Sequence, residues 1–531
     1  MRHDPEAVKG DETVLPIGVH DGGSVGDMIV TALTRHGQRT AFVTANAAYT
    51  YDEVARQVGS ASGILEALGL RSGETVAQIS RNSPEQWFVM AAAYLRGFRS
   101  VTLHAAAGID DQVFIINDAD ARVVVVDPYF SEQVQALRTR CPGVRHWLFH
   151  GPRSAPASFW AEEESIAVGP LESRAEAGDI VRIGYTGGTT GQPKGVMLSS
   201  RSLLWQALLT SVEKDWPERP VIVISAPISH GAGGNIIPVL ARGGTVIMLD
   251  RFSVDGVLDA VEEHRASVLH LVPTMLYALL DHPRTRKADL SSLRSIMYGA
   301  SPASPTRIRE AMAVFGPILC QGYGQTEAPS CITVLRQSDH DSDIPNRLSS
   351  CGLPYPGIQV RLLDEECRAV ETGSMGEICV RGPLVMDGYL NQPELTAAAM
   401  RGGWLHTGDV AVQDELGYIY IVDRKKDVII SGGFNVYPNE IENVLATHAS
   451  VVEVAVIGVP HPRWGEAVKA IVVAPAASER LADELISLCK DKKGSVQAPK
   501  SVEFVAAIPR TAVGKPDKAA LRKLYGQGHA S

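Results

Sequence analysis

Glycine, threonine and lysine residues cluster in one short stretch of the sequence, TGGTTGQPKG at Thr186–Gly195. Its glycines let the backbone approach an anion closely, and its hydroxyl and ammonium groups can bind phosphate oxygens. The residues concerned are Thr186, Gly187, Gly188, Thr189, Thr190, Gly191 and Lys194. The stretch does not fit the pattern Gly-x-x-x-x-Gly-Lys-Ser/Thr, because Lys194 follows Pro193 and precedes Gly195. It therefore predicts a phosphate-binding loop of another kind, although its composition alone also fits a flexible connector.

Six further blocks combine polar or aromatic residues with glycines. They are YGASP (298–302), QGYGQTE (321–327), GEICVRGP (376–383), WLHTGD (404–409), DRKKDVIISGGFNVYPNEIE (423–442) and PRTAVGKPDK (509–518). Tyr323 offers a flat ring that suits stacking on a base. The carboxylate of Asp409 is a natural acceptor for the two hydroxyls of a ribose. Taken one at a time, a core tyrosine and a turn-capping aspartate are equally ordinary explanations.

Together with Thr186–Gly195, these blocks resemble the motifs of the adenylate-forming superfamily: acyl-CoA synthetases, firefly luciferase and nonribosomal-peptide adenylation domains. The family's phosphate loop reads approximately T-[SG]-G-[ST]-T-G-x-P-K-G, and Thr186–Gly195 matches it at every position. The seven blocks follow the family's order and cover nearly the whole chain. The resemblance implies that a carboxylate attacks the α-phosphate of ATP, giving an acyl-adenylate and pyrophosphate. A thiol, usually that of coenzyme A, then takes the acyl group and releases AMP.

The resemblance also implies which residues bind ATP and carry out the first step. The ATP site would consist of Thr186, Gly187, Gly188, Thr189, Thr190, Gly191, Lys194, Gly299, Ala300, Ser301, Pro302, Gln321, Gly322, Tyr323, Gly324, Gln325, Thr326, Asp409, Arg424 and Lys515. Within it, Thr326 would contact the α-phosphate, and Glu327 would bind Mg²⁺. Lys515 would bridge the substrate carboxylate and the α-phosphate, and so stabilise the charge that develops in the transition state. Thr326, Glu327 and Lys515 are therefore the predicted catalytic residues.

For the second step, the resemblance implies that the C-terminal domain rotates about Lys426, bringing Gly432, Gly433 and Phe434 to the active site to form a slot for coenzyme A. A fatty acyl-AMP ligase would carry an insertion near the C-terminal domain, but the chain between Tyr389 and Gly408 is too short for it. Coenzyme A is thus the predicted acceptor. A stand-alone adenylation enzyme that loads a carrier protein, luciferase-type oxygenation and a nucleotide-binding protein without catalysis remain alternatives.

The predicted acyl pocket centres on APISHGAGGN at 226–235. The pocket residues are His230, Gly231, Gly234, Asn235, Tyr298, Gly299, Gly324 and Ala328. Amino-acid-activating relatives place an aspartate where His230 stands, and a neutral imidazole does not supply that counter-charge. We therefore expect a fatty or aromatic carboxylic acid without an amino group. A dicarboxylic acid is less expected, because the matched pocket segments contain no Arg or Lys.

Composition limits the partners and the compartment. A net charge of −10 at pH 7 argues against a nucleic-acid-binding surface, which needs a basic stripe. The seven cysteines include no C-x-x-C pair, so reduced thiols in the cytoplasm are expected. No secretory signal is visible, and no run reaches the roughly 18 apolar residues of a membrane span. Composition leaves the oligomeric state open between a monomer and a homodimer.

Alternating strand and helix patterns must position these residues. Strand candidates such as ARVVVVD (121–127) and TVIMLD (245–250) alternate with helical runs, which predicts an α/β fold with largely parallel sheets. After about residue 355 the strands alternate tightly with glycine turns, which indicates an antiparallel or barrel-like region. The expected domains are an N-terminal AMP-binding domain (1–422), a hinge (423–427) and a small, mobile α+β C-terminal domain (428–531) carrying the catalytic lysine.

Overall fold

The computed structural model describes residues 22–103, 107–155, 157–161, 171–186, 192–340, 343–344, 346–431, 434–510 and 516–526, except for the side chain of Lys426. Within these ranges the α-helices are Val25–Thr34 (α1), Tyr51–Ala67 (α2), Pro84–Arg96 (α3), Ile109–Asp118 (α4), Val134–Arg140 (α5), Ser200–Glu213 (α6), Ile236–Ala241 (α7), Val254–His264 (α8), Pro273–Asp281 (α9), Pro305–Phe315 (α10), Pro393–Ala399 (α11), Pro438–Leu445 (α12), Glu479–Lys493 (α13) and Lys518–Tyr525 (α14). Short 3₁₀ turns include Gly231–Asn235 and Lys425–Asp427.

The β-strands connect these helices. They are Thr40–Val43 (β1), Ala48–Thr50 (β2), Thr75–Ile79 (β3), Arg99–Leu103 (β4), Ala121–Val126 (β5), His146–Phe149 (β6), Ile180–Thr186 (β7), Lys194–Ser199 (β8), Val221–Ile224 (β9), Thr245–Met248 (β10), Val268–Leu271 (β11), Ser295–Gly299 (β12), Leu319–Gln325 (β13), Ala328–Leu335 (β14), Leu353–Pro354 (β15), Gln359–Leu363 (β16), Met375–Arg381 (β17), Gly388–Tyr389 (β18), Leu405–Gln413 (β19), Ile419–Arg424 (β20), Ile429–Ser431 (β21), Phe434–Val436 (β22), Glu453–His461 (β23), Gly465–Val473 (β24) and Ser501–Phe504 (β25).

Local sequence signals explain where several helices begin. Thr50 and Glu53 form a reciprocal capping box at the start of α2. Ser83 caps α3, whose first residue is Pro84, and Gly97 ends that helix in a left-handed conformation. Helix α2 ends at Ala67, two residues before Gly69, which has a positive φ of 82°.

Two sheets of the N-terminal region confirm the expected α/β architecture. One has nine strands in the order β15-β14-β13-β12-β11-β9-β10-β1-β2, and the other has seven in the order β18-β8-β7-β4-β3-β5-β6. Strands β1 and β9 to β13 pair in parallel, as do β3 to β7. Antiparallel strands complete the edges. The predicted ATP-binding blocks at 298–302 and 321–327 include the carboxyl ends of β12 and β13, at the edge where ligands bind in parallel sheets.

A third sheet contains the region that was expected to be antiparallel or barrel-like. Strands β16, β17, β19 and β20 pair in that order, and every pairing is antiparallel. The sheet carries Asp409 on β19 and Arg424 at the end of β20. It therefore presents both predicted ribose-binding residues from neighbouring strands.

The last hundred residues pack around cores of their own. Strands β21 to β25 form one sheet, in which β23 and β24 pair over their whole length. One core lies between this sheet and helices α12 and α13, and a second lies beneath α14. Both cores consist of residues from Ile429 onward, which fits the expected C-terminal domain. The boundary and its mobility stay predictions. Among the described helices, none has the length and apolarity needed to cross a membrane.

Candidate active site

Asp409 brings together residues from three of the sequence blocks. The hydroxyl of Tyr323 donates to Asp409 Oδ2 at 2.5 Å, and Arg424 Nε donates to Oδ1 at 3.2 Å. Asp409 lies opposite Arg424 in the β19–β20 register. Its side chain is almost buried, with 5% of the residue exposed. The strand pairing thus places one carboxylate between a phenol and a guanidinium, although the three residues are far apart in the sequence.

The electrostatics of this cluster keep the Tyr323 hydroxyl protonated. Burial, followed by the neighbouring Asp409 carboxylate, raises the pKa of Tyr323 well above its ordinary value. The phenol therefore donates to Asp409 throughout the physiological pH range. Because the hydroxyl is fixed in this way, the orientation of the Tyr323 ring is determined before any ligand binds.

Two glycines beside this cluster are required by the close approach of neighbouring strands. Gly299 lies opposite Gly322 in the β12–β13 register, and a Cβ at Gly299 would collide with the carbonyl oxygen of Gly322. A Cβ at Gly324 would lie 2.5 Å from the backbone nitrogen of Ser330. These glycines therefore have a packing role whether or not a nucleotide approaches them. Ala300 follows at the strand end with a positive φ of 70°.

The phosphate-loop segment begins and ends on a β-hairpin. Strands β7 and β8 are antiparallel, and Thr186 lies opposite Lys194 at their open end. The methyl group of Thr326 packs against Gly184, where a Cβ would lie only 2.7 Å away. The hairpin thus brings Thr186, Lys194 and Thr326 to one side of the sheet. The strand register thus fixes the positions of Thr186 and Lys194, the two described ends of the phosphate-loop segment.

Tyr389 connects the loop lysine to the predicted magnesium ligand. Its hydroxyl donates to Glu327 Oε1 at 2.8 Å, and Lys194 Nζ lies 5.5 Å from the centroid of its ring. The Glu327 backbone carbonyl accepts from Met386 N–H at 2.8 Å. The Glu327 carboxylate is therefore fixed by Tyr389, whose ring also lies near Lys194. This position suits a magnesium ion shared with phosphate oxygens. Sequence reasoning missed Tyr389, because nothing in its local sequence distinguishes it from a core tyrosine.

The residues of the predicted acyl pocket do not all face one space. His230 Nδ1 lies 2.8 Å from Ser229 Oγ, and a Cβ at Gly231 would lie 3.7 Å from Ser330 Oγ. Gly231 thus stands beside Ser330 of β14, whose backbone nitrogen lies close to Gly324. Tyr298, by contrast, is buried, and its hydroxyl hydrogen-bonds His340 Nε2 at 3.0 Å.

Asn235, a residue of the predicted acyl pocket, contacts a buried lysine that the sequence analysis missed. Lys214 Nζ donates to Asn235 Oδ1 at 3.0 Å, and both residues are buried. Burial lowers the pKa of Lys214, with the thiols of Cys331 and Cys320 nearby. Lys214 directly follows helix α6, outside the matched pocket segments, so no motif points to it. A buried lysine amine therefore contacts one residue of the predicted acyl pocket, which weakens the sequence argument against dicarboxylic acids.

A cavity lies in the C-terminal region beside Phe434. It encloses about 400 Å³ and is lined by Ser431, Phe434, Trp464, Lys490, Ser495, Val496 and Lys500. Phe434 is 61% exposed. Trp464 stacks on His461 with ring centroids 4.2 Å apart, and Lys500 Nζ lies 5.4 Å from the Trp464 centroid. An aromatic ring and two ammonium groups thus border one concave surface, an arrangement that suits an anionic aromatic ligand.

Several predicted site residues lie outside the described residues. They are Gly187, Gly188, Thr189, Thr190 and Gly191 of the phosphate loop, Gly432 and Gly433 of the expected coenzyme A slot, and Lys515. The side chain of the hinge residue Lys426 is also not described. The roles assigned to these residues stay predictions.

Comparison with known proteins gives consistent matches along the chain. Residues 30–390 match the family model described as AMP-binding enzyme, and residues 440–515 match the AMP-binding enzyme C-terminal domain. The chain is 40% identical to a medium/long-chain-fatty-acid–CoA ligase of Mycobacterium tuberculosis, covering 95% of this chain and 90% of the relative. It is 37% identical to a feruloyl-CoA synthase of an Amycolatopsis species, covering 90% and 94%. The amide bond synthetase McbA of Marinactinospora thermotolerans has a similar structure (TM-score 0.87, 33% identity, covering 95% and 100%).

Proposed function

Because this chain belongs to the AMP-binding enzyme family and is an AMP-forming acid–CoA ligase, we propose that it activates a fatty or aromatic carboxylic acid at the site around Asp409 and Glu327. The reaction converts the acid, ATP and coenzyme A into acyl-CoA, AMP and pyrophosphate through an acyl-adenylate. The expectation of this family and of this activity from the sequence blocks is thereby confirmed.

The observation that carries the site assignment is the carboxylate of Asp409, held between Tyr323 and Arg424. Each oxygen already accepts one hydrogen bond, and a carboxylate oxygen has room for a second. We propose that these remaining positions accept the two ribose hydroxyls of ATP, with the adenine on the Tyr323 ring. The bond to Tyr323 and the pairing with Arg424 fix the carboxylate before ATP arrives, which reduces the ordering that binding requires.

In the first half-reaction, a substrate carboxylate oxygen bonds to the α-phosphorus while the bond from that phosphorus to the β-phosphate oxygen breaks. The products are acyl-adenylate and pyrophosphate. We propose that Lys194 and the loop threonines hold the leaving pyrophosphate, and that Thr326 binds the α-phosphate. Glu327 would hold magnesium, which neutralises phosphate charge when bound. Lys515 would stabilise the charge that develops around the α-phosphate.

In the second half-reaction, the sulfur of coenzyme A bonds to the acyl carbon, its thiol proton leaves to solvent, and the bond from that carbon to the AMP oxygen breaks. We propose that the cavity beside Phe434 binds the nucleotide part of coenzyme A. Trp464 would stack on its adenine, and Lys490 and Lys500 would face its phosphates. Phe434 lines this cavity and also belongs to the predicted coenzyme A slot, so the two parts of the molecule would meet at this residue.

The acid class rests on the relatives and on the pocket. One similar protein is named for medium- and long-chain fatty acids and another for feruloyl-CoA. His230 stands where a counter-ion for an amino group is expected in amino-acid-activating relatives.

Six of the seven unpaired cysteines are buried, which suits a reducing compartment, and we propose the cytoplasm.

The deciding experiment follows both half-reactions with purified protein, ATP and magnesium. Fatty, aromatic, amino and dicarboxylic acids are supplied with and without coenzyme A, and pyrophosphate release and thioester are measured. We expect acid-dependent pyrophosphate release with fatty or aromatic acids and a thioester when coenzyme A is added. Release without any thioester would favour transfer to a carrier protein, whereas release only with amino acids would overturn the assigned acid class.

A matched pair of variants ties this activity to the assigned site. Glu327→Gln keeps the size of the side chain but removes its charge, so we expect about a 100-fold or greater loss of pyrophosphate release. Glu415→Gln makes the same change on the exposed β19–β20 turn and should leave the rate unchanged. Equal rates in the two variants would contradict the magnesium role of Glu327.

A further inference from the structure

Three side chains with metal-binding donors meet between strands β17 and β19, away from the predicted magnesium ligand. Cys379 lies opposite His406 in the register, and its Sγ atom is 3.4 Å from His406 Nδ1. Glu377 Oε2 lies 3.1 Å from the same nitrogen. All three donor atoms lie within 4.8 Å of one another. A thiol, an imidazole and a carboxylate therefore converge on one point.

Two of the three separations between donor atoms match the edges of a tetrahedral zinc site. Zinc binds nitrogen and oxygen at about 2.0–2.2 Å and sulfur at about 2.3 Å. With tetrahedral angles, these bond lengths place nitrogen and oxygen about 3.3 Å apart, and nitrogen and sulfur about 3.6 Å apart. The observed distances of 3.1 and 3.4 Å are each within a few tenths of an ångström of those values. The third separation, between Glu377 Oε2 and Cys379 Sγ, is within 4.8 Å, and side-chain rotation on unchanged strands would bring it to the roughly 3.6 Å of a tetrahedral site.

The outer hydrogen bonds are those that orient metal ligands in proteins. His406 Nε2 lies 3.1 Å from the Arg401 carbonyl oxygen, so the far nitrogen donates and fixes the ring. Glu377 Oε1 accepts the Gly408 N–H at 2.9 Å, which leaves Oε2 facing His406. Cys379 is fully buried, and the side chains of His406 and Glu377 are only 8% and 11% exposed. The three side chains are thus largely shielded from solvent, and hydrogen bonds to neighbouring backbone groups orient His406 and Glu377.

We propose that Glu377 Oε2, Cys379 Sγ and His406 Nδ1 form a binding site for a zinc-type divalent transition metal, with water as the fourth ligand. Sulfur and nitrogen donors favour zinc over magnesium, which prefers oxygen ligands alone. Binding releases to solvent both the thiol proton of Cys379 and the proton that His406 Nδ1 shares with Glu377 Oε2, and it replaces that hydrogen bond with two metal bonds. Cys367 does not complete this set, because its sulfur lies 3.8 Å from Nε2, on the far side of the ring.

The metal site lies next to two segments with proposed roles, the turn before Asp409 and the hinge segment, although the site does not depend on those roles. Glu377 Oε1 holds Gly408, which directly precedes Asp409. Glu377 Oε2 also lies 3.9 Å from Lys425 Nζ, next to the predicted hinge residue. A bound metal would take over this oxygen and weaken its pairing with Lys425. Metal occupancy would therefore stiffen the turn before Asp409 while loosening one contact of the hinge segment.

Cobalt(II) provides a direct test, because it replaces zinc and gives an absorption band when a thiolate binds it. The full-length protein is reduced, treated with a chelator, exchanged into buffer with excess Mg²⁺ and titrated with Co²⁺. We expect one equivalent to bind with a thiolate-to-cobalt band that Zn²⁺ then abolishes. The magnesium excess covers the Glu327 site, where a carboxylate would in any case give no thiolate band. A titration of the wild-type protein without this band would overturn the proposal.

Matched variants identify the ligands. Cys379→Ala should abolish the band, and His406→Asn should weaken cobalt binding by about 100-fold or more. Cys489→Ala removes a buried thiol from the C-terminal core and should keep both the band and the affinity. Melting curves without metal check that each variant folds, and Zn²⁺ should raise the melting temperature of the wild type but not of Cys379→Ala. Wild-type cobalt binding in both ligand variants would refute the site, and should Cys379→Ala fail to fold, His406→Asn decides.

Discussion

Replacing Asp409 with asparagine should lower kcat/KM for ATP more than a substitution of the same size elsewhere in the sheet. The substitution keeps the shape of the side chain but removes its charge and turns one acceptor into a donor. In the structure these acceptors face Tyr323 and Arg424, and in the proposed complex they also face the ribose hydroxyls. A hydrogen bond to a charged group contributes about 1.5–3 kcal/mol.

The expected size of the effect follows from the number of bonds affected. If asparagine retains one neutral acceptor for the ribose, the loss is about 2–4 kcal/mol, which corresponds to a decrease in kcat/KM for ATP of about 30-fold to 1000-fold. The assay measures pyrophosphate release with a saturating acid and varied ATP. Tyr323→Phe serves as the control, because it removes only the phenol that donates to Asp409. Its expected loss is smaller than that of Asp409→Asn, because the hydrogen bond from Tyr323 to Asp409 is made with and without ATP and no bond to the ribose is removed.

A substrate lacking both ribose hydroxyls separates a binding role from a structural one. Wild-type enzyme should use 2′,3′-dideoxy-ATP with a kcat/KM lowered about as much as Asp409→Asn lowers it for ATP. The variant should discriminate little between the two nucleotides, because the partner of the hydroxyls is already lost. Tyr323→Phe should still discriminate. If Asp409→Asn kept the full preference for ATP over the dideoxy nucleotide, the ribose assignment would be refuted, whatever the loss of activity.

Four further substitutions test the remaining roles. Lys515→Ala should lower acyl-adenylate formation by about 100-fold or more while sparing thioester formation from supplied acyl-adenylate, and normal pyrophosphate release would contradict its role. Lys426→Pro should slow thioester formation more than adenylation, and an equal loss in both half-reactions would count against the hinge. Trp464→Ala should raise KM for coenzyme A by about 5-fold to 100-fold without changing pyrophosphate release, and an unchanged KM would remove the nucleotide from that cavity. Burial raises the pKa of Asp423 to about 6, so its contribution to stability is fully present below its unfolded pKa of about 3.9 and is lost as the pH rises through about 6. Asp423→Asn should therefore gain melting temperature relative to wild type between pH 4 and pH 7, corresponding to about 3 kcal/mol at most, and a difference independent of pH would contradict this.

The predictable part of the site consists of residues in short continuous blocks. Tyr323, Thr326 and Glu327 lie within seven residues of sequence, and their relative placement follows from one strand and the turn after it. Asp409 and Arg424 were assigned separately, and the β19–β20 register brings them together. The alternation of strands and helices likewise predicted the parallel sheets, because period and length of apolar runs are local properties.

The residues that sequence reasoning missed are those whose roles depend on distant partners. Tyr389 matters because β18 pairs with β8, and this pairing brings its hydroxyl to Glu327 and its ring to Lys194. Lys214 became visible only through Asn235, which lies twenty-one residues farther along the chain. Trp464 became a candidate binding residue only because Lys490 and Lys500 line the same cavity. None of these residues stands in a short pattern that differs from an ordinary core or surface sequence.

The sequence by itself determined the family and the reaction, and it predicted the residues that bind nucleotide, because these signals lie in short continuous blocks. Only the tertiary structure decided which side chains hold those residues and which donors meet outside the active site. Cys379 and His406 are twenty-seven residues apart and face each other through strand register alone. Register is set by the packing of a whole sheet face, since a shift of one residue would turn every side chain to the opposite side. Such pairings therefore follow from the sum of many distant contacts and not from any local pattern.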